Sequence, residues 1–215
     1  MLSSALTIFV SHERQVTMSL DFYYAPFSSA SRVHWALEEL GIPYNKIKMD
    51  LKAGETRSPA YVAMNPNAKV PLLVIDGKPL FESLAILLYL GEHFGPEKNL
   101  WPAANDPARF EALSWTTWGT TELGMAIAML FNFQEVPPAK ELAIARSNAC
   151  CAILERHLEG RPYVMGNDFT LVDVAVSAVL AWSRFFNYDL TPFPRVSAWV
   201  DRCSSRPALK ATQVG

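Results

Sequence analysis

The sequence has little of what would assign it at once to several large classes of protein. It carries three cysteines and four histidines among 215 residues, and its formal net charge is −2. Cys150, Cys151 and Cys203 are too few and too poorly spaced for a disulfide framework or a zinc site. A charge this small gives no electrostatic reason to expect nucleic-acid or membrane-surface partners. We therefore expect no metal, no nucleic acid and no membrane.

Long hydrophobic runs are missing as well. No stretch approaches the roughly 20 apolar residues that a membrane helix needs. Residues 1–10 are apolar but lack a basic region, and charged and polar residues follow at once, which is unlike a signal peptide. Met18 directly precedes the first strand-like run, so we expect residues 1–17 to be a disordered extension. Cysteines that resemble small buried hydrophobes indicate a reducing compartment, and we expect the cytoplasm.

The residues that are present suit two small folded domains. Half of them are hydrophobic and 19% are charged, which is typical of a folded chain. Gly95-Pro96 opens a loop-like stretch, and beyond Asp106-Pro107 only helical patterns persist. We therefore expect one domain over residues 18–96 and a second over residues 97–215.

The first domain mixes strand and helix patterns. A strand, a three-turn helix and a second strand imply a parallel pair, and Asp76-Gly77 predicts a hairpin that adds antiparallel strands. This order is typical of a thioredoxin-like sheet. The predicted strands cover residues 20–24, 44–50, 70–75 and 78–81. The helix that begins at Glu82-Ser83 is expected to face the sheet with Leu84, Leu87, Leu88 and Gly91.

The second domain is predicted to be all helical. Residues 171–182 are apolar nearly all round, so we expect them to form the central helix of a bundle. The expected helices cover residues 110–133, 139–158, 170–186 and 196–202. The fold class is therefore an α/β thioredoxin-like N-terminal domain followed by an all-α helical bundle.

Serines gather between the first strand and the first helix, where Ser28 and Ser29 are the leading candidates for chemistry. Serine commonly caps helices, and capping alone would explain one of them. Several hydroxyls beside a helix N-terminus also favour a bound anion, because the helix dipole and free N–H groups attract negative charge. No G-x-S-x-G sequence is present, which argues against a serine hydrolase.

Two further features suit a peptide ligand. Val70-Pro71 begins a buried strand, and a cis bond there would leave the Val70 N–H and C=O free to pair with an extended peptide. Glu82-Ser83 opens a helix, whose N-terminus can hold a carboxylate. Lys69 and Arg57 lie in loops that reach toward a second carboxylate, although either residue alone could simply be solvated. A short peptide with two carboxylates and a group that becomes anionic fits this set, and glutathione has that chemistry.

Three motifs give the chain a family resemblance. Residues 65–73 (NPNAKVPLL) match the NPxxKVPxL stretch of glutathione transferases, and residues 82–90 (ESLAILLYL) resemble the ES-x-AIxxYL helix of that family. Residues 166–173 (GNDFTLVD) are similar to its G-x-x-F/L-T-x-A/V-D segment. The resemblance covers nearly everything after residue 18 and indicates a cytosolic, bacterial, serine-type member that is theta- or beta-like.

The resemblance implies roles for several residues and a homodimer. Glutathione would be the co-substrate, Val70 would pair with its cysteinyl backbone across a cis Pro71, and Glu82 with Ser83 would hold the γ-glutamyl end. Thr170 and Asp173 would form a capping box. The theta-like histidine after the second strand is absent, which leaves the contacts to the glycyl carboxylate open.

The same resemblance offers three candidates for the residue that activates the thiol. Ser28 aligns without gaps with the serine of theta-like members, and Ser29 aligns with the cysteine of beta-class members. Tyr23 matches the position used by tyrosine-type classes. We rank Ser28 first, Ser29 second and Tyr23 third. Because no cysteine stands in this segment, chemistry through a mixed disulfide is disfavoured.

The expected reaction is attack of the glutathione thiolate on small hydrophobic electrophiles. The alternatives are a glutathione-dependent isomerase or peroxidase, or a non-enzymatic interaction protein on the same fold. An apolar wall in the helical domain would hold the electrophile, and its candidates are Trp115, Trp118, Met125, Met129 and Phe131.

Overall fold

The computed structural model describes residues 18–212, and the predicted extension over residues 1–17 lies outside this part of the chain. Four strands form one mixed sheet in the order β2-β1-β3-β4. The β1–β2 pair is parallel, and the β1–β3 and β3–β4 pairs are antiparallel. The strands are β1 (Leu20–Tyr24), β2 (Asn45–Lys48), β3 (Leu72–Ile75) and β4 (Lys78–Phe81).

Within residues 18–212, three helices pack with the sheet and six more form the helical part that follows. The first three are α1 (Ala30–Leu40), α2 (Pro59–Met64) and α3 (Ser83–Phe94). The others are α4 (Ala108–Trp118), α5 (Gly124–Asn132), α6 (Pro137–His157), α7 (Leu171–Ser183), α8 (Pro194–Ser204) and α9 (Pro207–Ala211). None of the helices within residues 18–212 has the length and apolar character to cross a bilayer.

Local sequence accounts for the sheet and its turn. Phe22 and Tyr24 of β1 point toward α1, where both rings lie within 6 Å of the His34 ring. Alternation along the strand sends Tyr23 to the opposite face, against Tyr61 of α2. The predicted hairpin is confirmed, since Asp76 and Gly77 both have positive φ, as a two-residue turn of this kind requires.

The buried stripe of α3 differs from the one predicted. Leu87 and Gly91 are buried as expected, but Leu84 and Leu88 are only partly buried, and Ile86 and Leu90 are fully buried in their place. The reason is that α3 packs against α1, α4 and α7 as well as the sheet, which rotates its buried face. Position 91 requires a glycine because the Trp101 ring lies against it, and a Cβ there would lie 2.7 Å from that ring.

The predicted single helix over residues 110–133 is divided. A π-helical turn, Gly119–Leu123, separates α4 from α5. Gly119 packs against α7, and a Cβ at this position would lie 2.6 Å from Val176. The close approach explains a small residue here, and the extra residue of the π turn lets the helix follow the surface of α7.

The prediction that α7 is the central helix is confirmed, because most of its residues are buried on every side. Its N-terminus carries the predicted capping box between Thr170 and Asp173. The Asp173 carboxylate also accepts hydrogen bonds from the Val164 N–H and the Trp199 indole, each at 2.9 Å. Burial raises the pKa of Asp173, and these donors oppose that rise. One acid thus joins the start of α7, the preceding loop and α8.

We expect Asp173→Ala to destabilise the fold by about 3 kcal/mol or more, because it leaves buried donors of Val164, Thr170 and Trp199 without an acceptor. Thermal unfolding should show a midpoint lower by about 6–12 °C. Asp168→Ala, at an exposed position nearby, is the matched control and should melt as the wild type does. A normal melting curve for Asp173→Ala, combined with lost turnover, would show that the structural role is wrong.

Candidate functional site

The structure brings three of the predicted segments together at one edge of the sheet. The Ser29 hydroxyl donates to the Val70 carbonyl at 3.4 Å, which joins the β1–α1 loop to the chain before β3. The Asn67 amide donates to the Glu82 carboxylate at 3.2 Å, which joins the same stretch to the start of α3. These contacts bring together the loop before α1, the segment before β3 and the N-terminus of α3, and the edge that these three segments share is called the groove below.

The middle of this groove is the backbone at Val70. The Val70-Pro71 peptide bond is cis, and both side chains are buried. The Val70 N–H has no acceptor within residues 18–212, while its carbonyl accepts the long bond from Ser29. The strand β3 begins at Leu72 instead of Val70, because Pro71 has no N–H to donate to the sheet. Val70 therefore keeps backbone groups at the edge of the groove, outside the ladder.

Two side chains hold the backbone directly before Val70 in place. The Tyr61 hydroxyl and the Asn65 amide both donate to the Lys69 carbonyl, at 2.8 and 2.7 Å. Burial raises the pKa of Tyr61 to about 12, so its hydroxyl remains a donor at neutral pH. The carbonyl of Lys69 is thus anchored while its side chain is exposed.

The N-terminus of α3 forms one end of the groove. Ser83 is the first residue of the helix and is buried, and the first turn contains no acidic residue. Glu82 has φ +71° and ψ 121°, a conformation that non-glycine residues seldom adopt. Such strain concentrates at ligand sites, where the surrounding structure holds it. The backbone N–H groups of the first helical turn and the Ser83 hydroxyl suit a carboxylate.

The two candidate serines occupy different environments. The Ser28 hydroxyl donates to the Ala25 carbonyl at 2.7 Å and accepts from the Ala30 N–H at 3.2 Å. Since a hydroxyl has one proton, Ser28 must turn away from Ala25 before it can donate to a thiolate. Ser29 is exposed and directed at the Val70 carbonyl. Both hydroxyls lie beside the N-terminus of α1.

The third candidate, Tyr23, lies on the other side of β1 from Phe22 and His34. Its half-buried ring packs edge-to-face on Tyr61, with ring centroids 5.8 Å apart. The ring is therefore part of the contact between the sheet and α2.

Arg57 and Lys69 are both exposed and stand on either side of α2. Neither forms an ion pair with an acid in the described part of the chain. Thr56, in the loop after β2, is buried. The cations thus remain available to an outside carboxylate.

An aromatic pair next to the serines was not predicted. Phe27 is 79% exposed with φ +55°, and its ring meets Phe185 edge-to-face at 6.2 Å. Phe185 is 75% exposed and follows the end of α7. A bulky side chain with positive φ is an outlier. The only signal in the sequence was an aromatic residue directly before Ser28-Ser29.

The predicted apolar wall divides into separate groups. Trp115 packs on Trp118 at 5.1 Å and on His157 at 4.2 Å, within the helical domain. Phe131 packs on Trp182 at 4.9 Å and belongs to a cluster with Phe186, next to Phe185. Met125 and Met129 lie on α5, and Met125 is exposed. The wall that adjoins the serines therefore contains Phe27 and Phe185, which the sequence did not single out.

The cysteines stand apart from the groove. All three are free, buried and located on helices α6 and α8. Burial raises the pKa of each thiol, that of Cys151 to about 11. They therefore stay protonated at neutral pH and are poor nucleophiles.

Comparison with known proteins agrees with this geometry. Residues 18–92 match the family model "Glutathione S-transferase, N-terminal domain", and residues 137–202 match "Glutathione S-transferase, C-terminal domain". The disulfide-bond oxidoreductase YfcG of Escherichia coli (strain K12) is 33% identical over 202 residues, with 88% of this chain and 92% of YfcG covered. The chain belongs to the glutathione S-transferase family.

Other relatives support the assignment of this chain to the glutathione S-transferase family. Glutathione S-transferase D7 of Drosophila melanogaster is 29% identical over 187 residues, with 85% of this chain and 83% of the relative covered. A solved glutathione transferase of Burkholderia graminis, which has two glutathione molecules bound per subunit, gives a TM-score of 0.80 at 27% identity. That match covers 90% of this chain and 87% of the other. The predicted family and fold class are confirmed.

We expect Ser83→Ala to weaken glutathione binding by this transferase about 10–100-fold, because a hydrogen bond to a charged group contributes about 1.5–3 kcal/mol. Titration calorimetry measures the effect. Ser205→Ala, at an exposed serine whose hydroxyl donates to the Arg202 carbonyl, is the control and should bind as the wild type does. Equal affinities for Ser83→Ala and the wild type would show that Ser83 does not bind a carboxylate of glutathione.

Proposed function

We propose that this transferase binds glutathione along the groove and transfers its thiolate to small hydrophobic electrophiles. The observation that carries the proposal is the contact of Ser29 with Val70. It places the hydroxyls at the start of α1 next to a backbone that an extended tripeptide can pair with. The glutathione-bound relative of Burkholderia graminis supports glutathione as the co-substrate.

Each part of glutathione has a matching part of the groove. The cysteinyl backbone pairs with the backbone N–H and carbonyl of Val70. The γ-glutamyl end meets the start of α3, where its carboxylate accepts from Ser83 and the helix N-terminus and its ammonium group donates to the Glu82 carboxylate. Lys69 and Arg57, both exposed and without an acid partner in the described residues, attract the glycyl carboxylate. This pairing directs the cysteinyl side chain toward the loop that carries the serines.

Activation of the thiol is mainly electrostatic. A thiol has a pKa of about 8.5, so lowering it by two units requires about 2.7 kcal/mol of preferential stabilisation of the thiolate. A hydroxyl donor together with a helix N-terminus can supply this amount. We assign the donor to Ser28, which exchanges the Ala25 carbonyl for the thiolate, and keep Ser29 and Tyr23 as the second and third candidates.

The electrophile enters beside Phe27 and Phe185. Phe27 directly precedes Ser28 in the sequence, and the exposed ring of Phe185 contacts the exposed ring of Phe27. An apolar second substrate that binds here would bury both rings and lie close to the sulfur. The thiolate then forms a carbon–sulfur bond, and the leaving group departs with the electron pair of the bond that breaks. Where the acceptor is a polarised double bond, the electron pair moves to the acceptor and a proton from water completes the product.

A second candidate is glutathione-dependent reduction of disulfides, which the 33% identity to YfcG favours. Two glutathione molecules would reduce one disulfide to two thiols and become glutathione disulfide. The buried cysteines of this chain do not supply a nucleophile for this reaction. Parallel assays with an aryl halide and with a small dialkyl disulfide decide between the two functions.

We also propose a cytoplasmic homodimer. Free, buried cysteines suit a reducing compartment. Exposed apolar side chains such as Phe110, which is 71% exposed on α4, supply surface for a second copy to cover. Family members in general form dimers, which supports the assembly.

We predict that Ser28→Ala lowers the turnover of an aryl halide by about 10²–10³-fold, because it removes one hydrogen-bond donor to the reacting anion. Affinity for glutathione should change little, since the Ser28 hydrogen bond stabilises the thiolate more than the neutral thiol. Steady-state kinetics with Ser29→Ala and Tyr23→Phe as matched variants test this assignment. Near-normal turnover by Ser28→Ala, with loss in either of the other two, moves the donor to that residue.

The dimer has its own test. Analytical ultracentrifugation at micromolar concentration should give a species of twice the 24.0 kDa mass of the chain. A wet, polar interface would dissociate on dilution into the nanomolar range sooner than an apolar one. A 24.0 kDa species throughout the micromolar range contradicts the proposed assembly.

A further inference from the structure

Phe27 is held in a backbone conformation that its residue type does not explain. Its φ of +55° lies in the left-handed region, where the Cβ crowds the backbone and glycine, asparagine or aspartate is usual. Asp76, Asn99 and Asn187 occupy the same region, and their short polar side chains tolerate it. A phenylalanine in this conformation is a steric outlier. Position 27 therefore keeps a ring where a glycine would be less strained.

Burial does not compensate for this conformation. Phe27 is 79% exposed, so the fold removes little of its apolar surface from water. Its ring meets the ring of Phe185 edge-to-face at a centroid distance of 6.2 Å, and Phe185 is itself 75% exposed. Two rings that both remain so exposed bury little of each other. Neither the core nor this contact accounts for the phenylalanine at position 27.

The turn that carries Phe185 is anchored by the next residue. Phe185 and Phe186 lie in the 3₁₀ turn Arg184–Phe186, which follows α7. The Phe186 ring packs on Trp182 and Phe131, with ring centroids 5.0 and 5.8 Å away. Phe186 is half-buried by these contacts, while Phe185 stays exposed and meets Phe27. The fold thus holds two exposed rings from distant parts of the chain side by side.

The surface around the two rings suits a small ligand. Arg184, which precedes Phe185, is paired with Asp201 at 2.7 Å, and Asn187 and Ser29 are exposed polar residues. A stable protein interface needs about 800 Å² of surface on each partner. An aromatic side chain buries about 150–250 Å² when it is fully covered. Two rings flanked by polar residues therefore match one small planar molecule better than a protein partner.

The rings adjoin the point where the proposed reaction takes place. Phe27 is bonded directly to Ser28, whose hydroxyl accepts from the Ala30 N–H at 3.2 Å and is the proposed donor to the thiolate. Because consecutive Cα atoms are about 3.8 Å apart, the two residues cannot be separated. Aromatic rings favour offset-stacked or edge-to-face partners at centroid distances of about 4.5–7 Å. A planar electrophile that packs on Phe27 and Phe185 would place its reacting carbon near the sulfur.

We propose that Phe27, together with Phe185, selects planar aromatic electrophiles as the second substrate, and that the strained ring at position 27 reduces the stability of the free protein. This inference rests on the proposed function, because the rings adjoin the sulfur only when glutathione binds along the groove. With an aryl halide, the thiolate bonds to the ring carbon that carries the halogen. The halide leaves with the electron pair of the carbon–halogen bond.

The experiment compares Phe27→Leu, Phe27→Tyr and Phe27→Gly in the full chain. Leucine keeps much of the apolar area without a ring, tyrosine keeps the ring, and glycine removes the side chain and tolerates the positive φ. At saturating glutathione, kcat/KM is measured with a chlorodinitrobenzene and with an alkyl iodide of similar size. Thermal unfolding reports stability, and titration calorimetry reports affinity for glutathione. Asn99→Gly, at another exposed residue with positive φ, is the matched control.

The variants should separate the ring from the apolar area. Phe27→Leu should lower kcat/KM for the chlorodinitrobenzene about 2–10-fold, the factor that a contact between rings supplies, and change that for the alkyl iodide less than about 2-fold. Phe27→Tyr should keep the preference of the wild type. Glutathione affinity should be unchanged in every variant.

The glycine variants should separate strain from function. Phe27→Gly should lose more activity toward the aryl halide than Phe27→Leu, because the apolar area is lost as well. It should also melt about 2–4 °C higher than the wild type, because glycine relieves the strain. Asn99→Gly should keep the activity of the wild type and melt within about 1 °C of it, since asparagine already tolerates this conformation.

Several results would overturn the inference. Equal losses with both electrophiles in Phe27→Leu, or a loss of glutathione affinity, would mean that Phe27 supports the serine loop instead of selecting aromatic rings. Wild-type activity of Phe27→Leu and Phe27→Gly toward the aryl halide would place the second substrate elsewhere, while the proposed function stands. Phe27→Gly melting at or below the wild type would contradict the strain. If the wild type conjugates neither electrophile, the proposed function fails and this inference fails with it.

Discussion

The position of α1 is the constraint on which the candidate site depends. Its C-terminal half is tied to the helical domain, because Glu39 accepts two hydrogen bonds from Arg206. The Trp35 indole, on the same helix, also donates to Glu39 and orients its carboxylate. Trp35 is fully buried and lies 6.1 Å from the ring of Phe169, next to the start of α7. A helix of three turns is rigid, so fixing one end fixes the other. The serines before α1 are therefore held against Val70 by packing that lies well away from them.

The groove collects groups that the fold itself does not use. The Val70 N–H has no partner in the described residues, and Glu82 and Phe27 hold positive φ. Each of these features reduces the stability of the free protein. Under the proposed function, a bound tripeptide would pair with the Val70 N–H, and the Ser28 hydroxyl would turn from the Ala25 carbonyl to the thiolate.

Features encoded by neighbouring residues were predictable from the sequence. The hairpin at Asp76 and the capping box at Asp173 depend on residues within one turn, and both are confirmed. The predicted buried face of α3 was wrong at Leu84, because the helices that pack on α3 come from distant parts of the chain. The contact of Asn67 with Glu82 and the exposed ring of Phe27 were not predicted, since both depend on how separate segments meet. The roles within the groove stay predictions.

A crystal structure of the protein with glutathione tests the central claim most directly. The account predicts that the cysteinyl backbone pairs with Val70 and that the sulfur lies about 3–3.5 Å from the Ser28 hydroxyl, which has left the Ala25 carbonyl. A complex in which Ser28 still bonds to Ala25, with the sulfur directed away from the start of α1, would contradict the account.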